Sequence, residues 1–160
     1  MKRMLTLAFL LAGFQPAAAG EFILGAGYVD FSRGAGDEAG LTGEYHADPF
    51  TRLGAIGLNF GVAAGLHGNG DVWVGAGIAA RADLGERWFV EGSVLPGYYE
   101  AGERESRLGG HFQIRSLAAL GYRLDGGYGL SLSIDHKSNA GTEDFNPGVN
   151  TVSLRLHRAF

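Results

Sequence analysis

Residues 110–124 read GHFQIRSLAALGYRL. Phe112, Ile114, Ala118, Leu120, Tyr122 and Leu124 share one parity, and His111, Gln113, Arg115 and Arg123 share the other. A period of two puts successive side chains on opposite faces of a strand. The pattern spreads in both directions from there. Residues 53–64 set Ile56, Leu58, Phe60 and Val62 against Ala55, Gly57, Asn59, Gly61 and Ala63. Residues 72–84 set Val72, Val74, Ile78 and Leu84 against Trp73, Gly75, Gly77, Arg81 and Asp83. Residues 87–98 set Trp88, Val90, Val94 and Tyr98 against Arg87, Glu91 and Ser93. Leu130, Leu132 and Ile134 alternate with Ser131, Ser133 and Asp135, and Val152, Leu154, Leu156 and Phe160 with Ser153, Arg155, His157 and Ala159. Two weaker segments, 21–31 and 39–47, bring the expected strands to eight. Short hairpin signals separate several of them: 67–70 (HGNG), 85–86 (GE) and 125–127 (DGG).

The face opposite the apolar one decides the environment. A soluble sandwich or barrel buries its apolar face and covers the other with Lys, Glu and Asp. Here the second face is mostly Gly, Ala, Ser and Asn with a few charges. Small residues suit the crowded interior of an eight-stranded barrel, which turns the apolar face outward into lipid. Even strand number and apolar-out alternation are the marks of a transmembrane β-barrel, and closure leaves no backbone edge unpaired in hydrocarbon. The expected fold is therefore all-β, an eight-stranded antiparallel transmembrane barrel over residues 20–160; a secreted soluble β-domain is the competing reading. Tyr45, Trp88, Tyr98, Tyr122 and Phe160 suit interfacial girdles, and Arg158 suits a snorkelling position at the rim. A terminal aromatic such as Phe160 resembles the assembly signal of bacterial outer-membrane barrels. With both termini periplasmic, the loops after strands 1, 3, 5 and 7 face outside. Residues 48–52 then form an inner turn longer than that arrangement favours. His111, Gln113, Arg115, Arg123, Glu91, Asp135 and Arg155 are expected to point inward as a charge-paired interior.

Composition agrees with this. The 160 residues include 28 Gly, 4 Pro and no Cys, at a net charge of −4. That charge gives no basic footprint for nucleic acid, and the missing Cys removes disulfides and thiolate chemistry. A mean hydropathy of +0.02 averages the two faces and so conceals a membrane protein. Lys2 and Arg3, the apolar run 4–14 and Ala17-Ala18-Ala19 form the three-part pattern of a cleaved signal peptide over residues 1–19. Gly75, Gly77 and Ala80 mimic a dinucleotide fingerprint, but the helix that the fingerprint requires does not follow. His46, His67, His111 and His157 lack paired ligand spacing, so no metal or other cofactor is called for.

One polar group falls on the apolar face. Extending the parity of Leu130, Leu132 and Ile134 puts His136 and Ser138 outside, and that of Val152, Leu154 and Leu156 puts Asn150 there too. A hairpin of the last two strands brings the three together near the rim. One reading is a polar collar where the strands leave the membrane. The other is a Ser nucleophile with a His base and a third residue orienting the imidazole, placed to meet the acyl esters of lipid. Asp135 points into the barrel by parity and is a poor third member.

Residues 136–141, HKSNAG, resemble the H-x-S-N-A-G motif of the lipid A 3-O-deacylase (PagL) family, and Asn146, Gly148 and the last strand also sit where that family has them. The resemblance implies an outer-membrane esterase that removes the ester-linked 3-hydroxyacyl chain from position 3 of lipid A, with lipopolysaccharide as substrate and membrane lipid as surroundings. It implies Ser138 as nucleophile and His136 as base. It also implies an oxyanion hole from N–H groups around Asn139, Ala140 and Gly141, with Asn146. The family has Glu fourteen residues after the His, where this chain has Asn150. An amide can accept the imidazole N–H but carries no charge. Asn150 itself, or a loop acid, Glu143 or Asp144, is the third member, or the activity has been lost. A structural or adhesive barrel, or an esterase of another lipid, remains the alternative.

Overall fold

The computed structural model describes residues 20–29, 38–102 and 108–160. The expected signal peptide, 1–19, lies outside the described residues. Eight strands run in sequence: β1 (Gly20–Val29), β2 (Glu38–Leu53), β3 (Ile56–His67), β4 (Val72–Leu84), β5 (Trp88–Glu100), β6 (Phe112–Arg123), β7 (Tyr128–Ser138) and β8 (Val149–Ala159). Each pairs antiparallel with its neighbour, and β8 returns to β1, so the sheet closes into a barrel. At the seam the Phe160 N–H donates to the Gly20 carbonyl at 3.1 Å. Closure leaves no strand with an open edge, which is what hydrocarbon demands.

The expected parity is the observed one. Leu120, Leu132, Ile134, Leu154 and Phe60 are exposed, while Arg115, Gln113, Glu91 and Arg155 are buried. An exterior this apolar has no stable place in water and suits a bilayer. Inside, ion pairs replace a hydrocarbon core. Arg115 donates to Glu44 at 2.6 Å and Arg155 to Glu91 at 2.7 Å, and Lys137 reaches Asp135 at 3.2 Å. Pairing of this kind keeps buried charges from standing uncompensated. The glycines of the false fingerprint make room: a Cβ on Gly75 would lie 2.3 Å from the Trp73 ring.

Two expectations are corrected. Residues 48–52 are not a turn. β2 continues through them to Leu53, with register shifts around Pro49. Proline has no N–H for the ladder and is accommodated at a bulge, so the strand bends without ending. The chain reverses at Gly54, whose φ of +62° suits glycine, and the turn at this end becomes as short as the others. His111 does not point inward. It precedes β6, lies flat on Tyr98 (ring centroids 5.0 Å apart, 3° between planes) and stays exposed. Free of strand parity, it covers an outward-facing aromatic instead.

Aromatics gather at the end holding the termini. Phe22 meets Tyr45 at 5.0 Å and Phe160 at 5.3 Å, and Trp88 meets Tyr122 at 5.1 Å. The Arg158 guanidinium lies 4.6 Å above the Tyr128 ring, a cation–π contact at the expected girdle level. The opposite end carries the β3–β4, β5–β6 and β7–β8 loops.

Candidate active site on the outer face of the barrel

β7 and β8 pair in the register His136↔Asn150, so the two side chains emerge side by side on the exterior. The His136 Nδ1 lies 2.8 Å from the Asn150 Oδ1. An amide oxygen only accepts, so Nδ1 must carry the proton, and Nε2 is left as the basic nitrogen. Gly148 closes in on the ring: a Cβ there would lie 2.6 Å from the His136 Cε1, and its φ is +64°. The imidazole is thus held by Asn150 and by a close backbone approach that only glycine permits.

Ser138 lies two residues further along β7, on the same face and nearer the rim. It makes no hydrogen bond to His136 in this structure; such contacts commonly tighten only when substrate binds. After Ser138 the chain enters a tight loop anchored by Asn139, which is fully buried. The Asn139 Nδ2 donates to the carbonyls of Gly109 (2.7 Å) and Phe145 (2.9 Å), and its Oδ1 accepts from the Gly141 N–H at 2.9 Å. The Asn139 N–H donates to the Asn146 Oδ1 at 3.1 Å. One amide therefore ties the segment after Ser138 to the β5–β6 loop. The N–H groups of Asn139 and Gly141 are engaged within the loop. The Ala140 N–H and the Asn146 Nδ2 make no hydrogen bond among the described residues, and Ala140 has the strained φ of +55°. Of the two loop acids, Glu143 lies against Gly110, where a Cβ would be 3.5 Å from its Oε1. Asp144 is exposed.

Sequence reasoning passed over one member. β6 pairs with β7 in the register Ser116↔His136 and Ile114↔Ser138. Asn150, His136 and Ser116 therefore form one row across three strands. Apart from Glu100 and Arg158 at the strand ends, Ser116, His136, Ser138 and Asn150 are the polar residues on the outward faces of β4 to β8, and they are contiguous. The signal was the break at 116 in an otherwise apolar set from Phe112 to Leu124. Directly below the row lies a shallow groove of about 400 Å³, whose outward-facing lining is Val90, Ala118, Leu120, Leu132, Ile134 and Val152, with Glu91, Ala119 and Ser133 of the opposite parity at its floor.

Inside the barrel, Glu21, His46 and Glu91 bring ligand-type atoms within 4.8 Å of one another. Arg81 already bonds both carboxylates, to Glu21 and, at 2.6 Å, to Glu91, so a cation occupies that space.

The chain resembles several known proteins. It is 30% identical over 101 residues to the lipid A deacylase PagL of Bordetella bronchiseptica, an alignment covering 62% of this chain and 57% of that relative's length. A crystal structure of the outer membrane enzyme PagL superposes with a TM-score of 0.70 at 14% identity, covering 88% of this chain and 99% of that one. A de novo designed transmembrane β-barrel gives 0.61 at 10% identity, over 91% and 98%. These structures share the fold. The family model for lipid A 3-O-deacylase (PagL) matches residues 68–159, more than half of the sequence and the whole of the site, and the chain belongs to that family.

Proposed function

We propose that this barrel is an outer-membrane esterase that removes the ester-linked 3-hydroxyacyl chain at position 3 of lipid A. The observation that carries the reading is the His136–Asn150 pair beside Ser138, on an otherwise apolar surface and directly above an apolar groove. Polar residues facing lipid are costly, and where they persist they mark a functional site. Here they combine a nucleophile, a base with its tautomer fixed, and free N–H donors.

The Ser138 hydroxyl attacks the ester carbonyl while the His136 Nε2 takes its proton. The charge that develops on the carbonyl oxygen is met by the Ala140 N–H and the Asn146 Nδ2. Collapse expels the sugar oxygen, which recovers the proton from His136, and water then releases the acyl group from Ser138 by the same steps in reverse roles. The groove below receives the acyl chain without lifting it out of hydrocarbon, and the loops above meet the headgroup. Asn150 orients the imidazole without adding charge.

The test is purified barrel in detergent with lipopolysaccharide, scored by free 3-hydroxy fatty acid. Ser138→Ala and His136→Ala should each abolish release while the barrel still folds. Wild-type release from either variant would overturn the assignment.

A further inference from the structure

Ser116 has no part in the steps above, yet it is the polar residue on the outer face of β6, between Ile114 and Ala118. It is exposed, and its hydroxyl makes no hydrogen bond among the described residues. A hydroxyl turned toward hydrocarbon with no partner is unfavourable, and its position is not random. It is in register with His136 and diagonal to Ser138. It also lies one step above Ala118, which lines the groove.

We propose that Ser116 is a specificity-determining residue that hydrogen-bonds the 3-hydroxyl of the acyl chain being removed. The inference rests on the deacylase reading. The acyl chain's carbonyl carbon sits at Ser138, at a near-attack distance of ~3–3.5 Å, and its tail runs down the groove. Two C–C bonds of ~1.5 Å and one C–O bond carry the 3-hydroxyl no more than ~4 Å from that carbon. Diagonal neighbours on adjacent antiparallel strands are ~7–8 Å apart at Cα. A chain leaving Ser138 for the groove therefore brings its 3-hydroxyl within hydrogen-bond reach, ~2.8 Å, of Ser116. The 3-hydroxyl is the one polar group of the chain below the ester. Without Ser116 it would enter hydrocarbon unpaired, and without the 3-hydroxyl Ser116 stays unpaired. Each hydroxyl is the partner that the other lacks.

The experiment compares kcat/KM for two synthetic lipid A precursors that differ at position 3 only, one bearing a 3-hydroxytetradecanoyl ester and the other a tetradecanoyl ester. Wild type should prefer the hydroxylated ester by ~5–10-fold, the range of one neutral hydrogen bond. In Ser116→Ala the ratio should fall toward one, and Ser116→Thr should restore it. Ser116→Cys, close in size but a weak donor, should behave like Ala, which separates lost bonding from lost volume. An unchanged ratio in Ser116→Ala would overturn the inference while leaving the deacylase reading intact. Equal losses on both esters would also overturn it, by making Ser116 a support for His136. Wild type cleaving neither ester would refute the deacylase reading and the inference with it.

Discussion

Replacing Asn150 by Asp should speed the reaction. The change is isosteric, so the oxygen that lies 2.8 Å from the His136 Nδ1 stays where it is. What changes at that oxygen is its charge, while the amide's N–H donors are lost. When Nε2 takes the serine proton, the ring becomes an imidazolium, and Asn150 offers it only a dipole. A carboxylate centred ~4 Å from the ring gains ~4 kcal/mol at an effective dielectric near 20, or ~10³ in rate at ~1.4 kcal/mol per decade. Screening at the open rim reduces this, so the expected gain in kcat is ~10²–10³. In a protease triad the reverse change costs ~10⁴ through the wrong tautomer; here Asn150 already holds the right one, so the gain is the electrostatic part alone. The assay is kcat for 3-hydroxy fatty acid release from lipopolysaccharide, at low and high salt. Because the gain is electrostatic, it should shrink as the Debye length falls from ~10 Å at 0.1 M to ~3 Å at 1 M. Asn150→Ala should slow the enzyme relative to wild type by freeing the imidazole. If Asn150→Asp is no faster than wild type while Glu143→Ala or Asp144→Ala abolishes turnover, the acid lies in the loop and the reasoning fails.

Further outcomes follow from other parts of the molecule. Gly148→Ala should abolish turnover without unfolding the barrel, because its Cβ would sit 2.6 Å from the His136 Cε1; turnover and the heat-modifiable gel shift of the folded barrel check this together. Arg155→Ala should lower stability by ~1.5–3 kcal/mol, since Glu91 and Glu44 each lose one charged partner but keep Arg81 and Arg115, read from urea unfolding in detergent or vesicles. Asp71, in the β3–β4 loop, accepts from the Tyr99 hydroxyl at 2.6 Å and the Gly102 N–H at 2.9 Å. Partial burial pushes its carboxyl up, but His67 and these donors outweigh burial and hold it well below the usual range. With a depressed folded-state pKa, its contribution is fully present above the unfolded value of ~3.9 and is lost only as pH falls through the folded one. Hydrogen exchange of the Gly102 amide should therefore stay protected at pH 4 in wild type and be unprotected in Asp71→Ala.

What the sequence revealed follows from which interactions are local. Alternation in 110–124 reports strand and face directly, because side-chain direction depends only on neighbouring residues. The meeting of His136 and Asn150 was legible for the same reason: two parities joined by one hairpin. Ser116 was within reach of the same logic but belongs to the next strand over, and its role appears only once β6 and β7 are in register. The run from Asp48 to Arg52 looked like a turn because Asp and Pro favour turns, whereas the barrel absorbs Pro49 as a bulge. The grouping of Glu21, His46 and Glu91 comes from three strands brought together by closure, and no spacing along the chain encodes it. Likewise, the engagement of the Asn139 and Gly141 N–H groups depends on how the loop folds against Gly109 and Phe145.

The most direct test of the central claim is mass spectrometry of lipid A from cells expressing the wild-type barrel or Ser138→Ala at equal levels in the outer membrane. The account predicts that wild type removes one 3-hydroxyacyl chain from position 3 and that Ser138→Ala leaves lipid A intact. Fully acylated lipid A in cells carrying a folded, inserted wild-type barrel would contradict it.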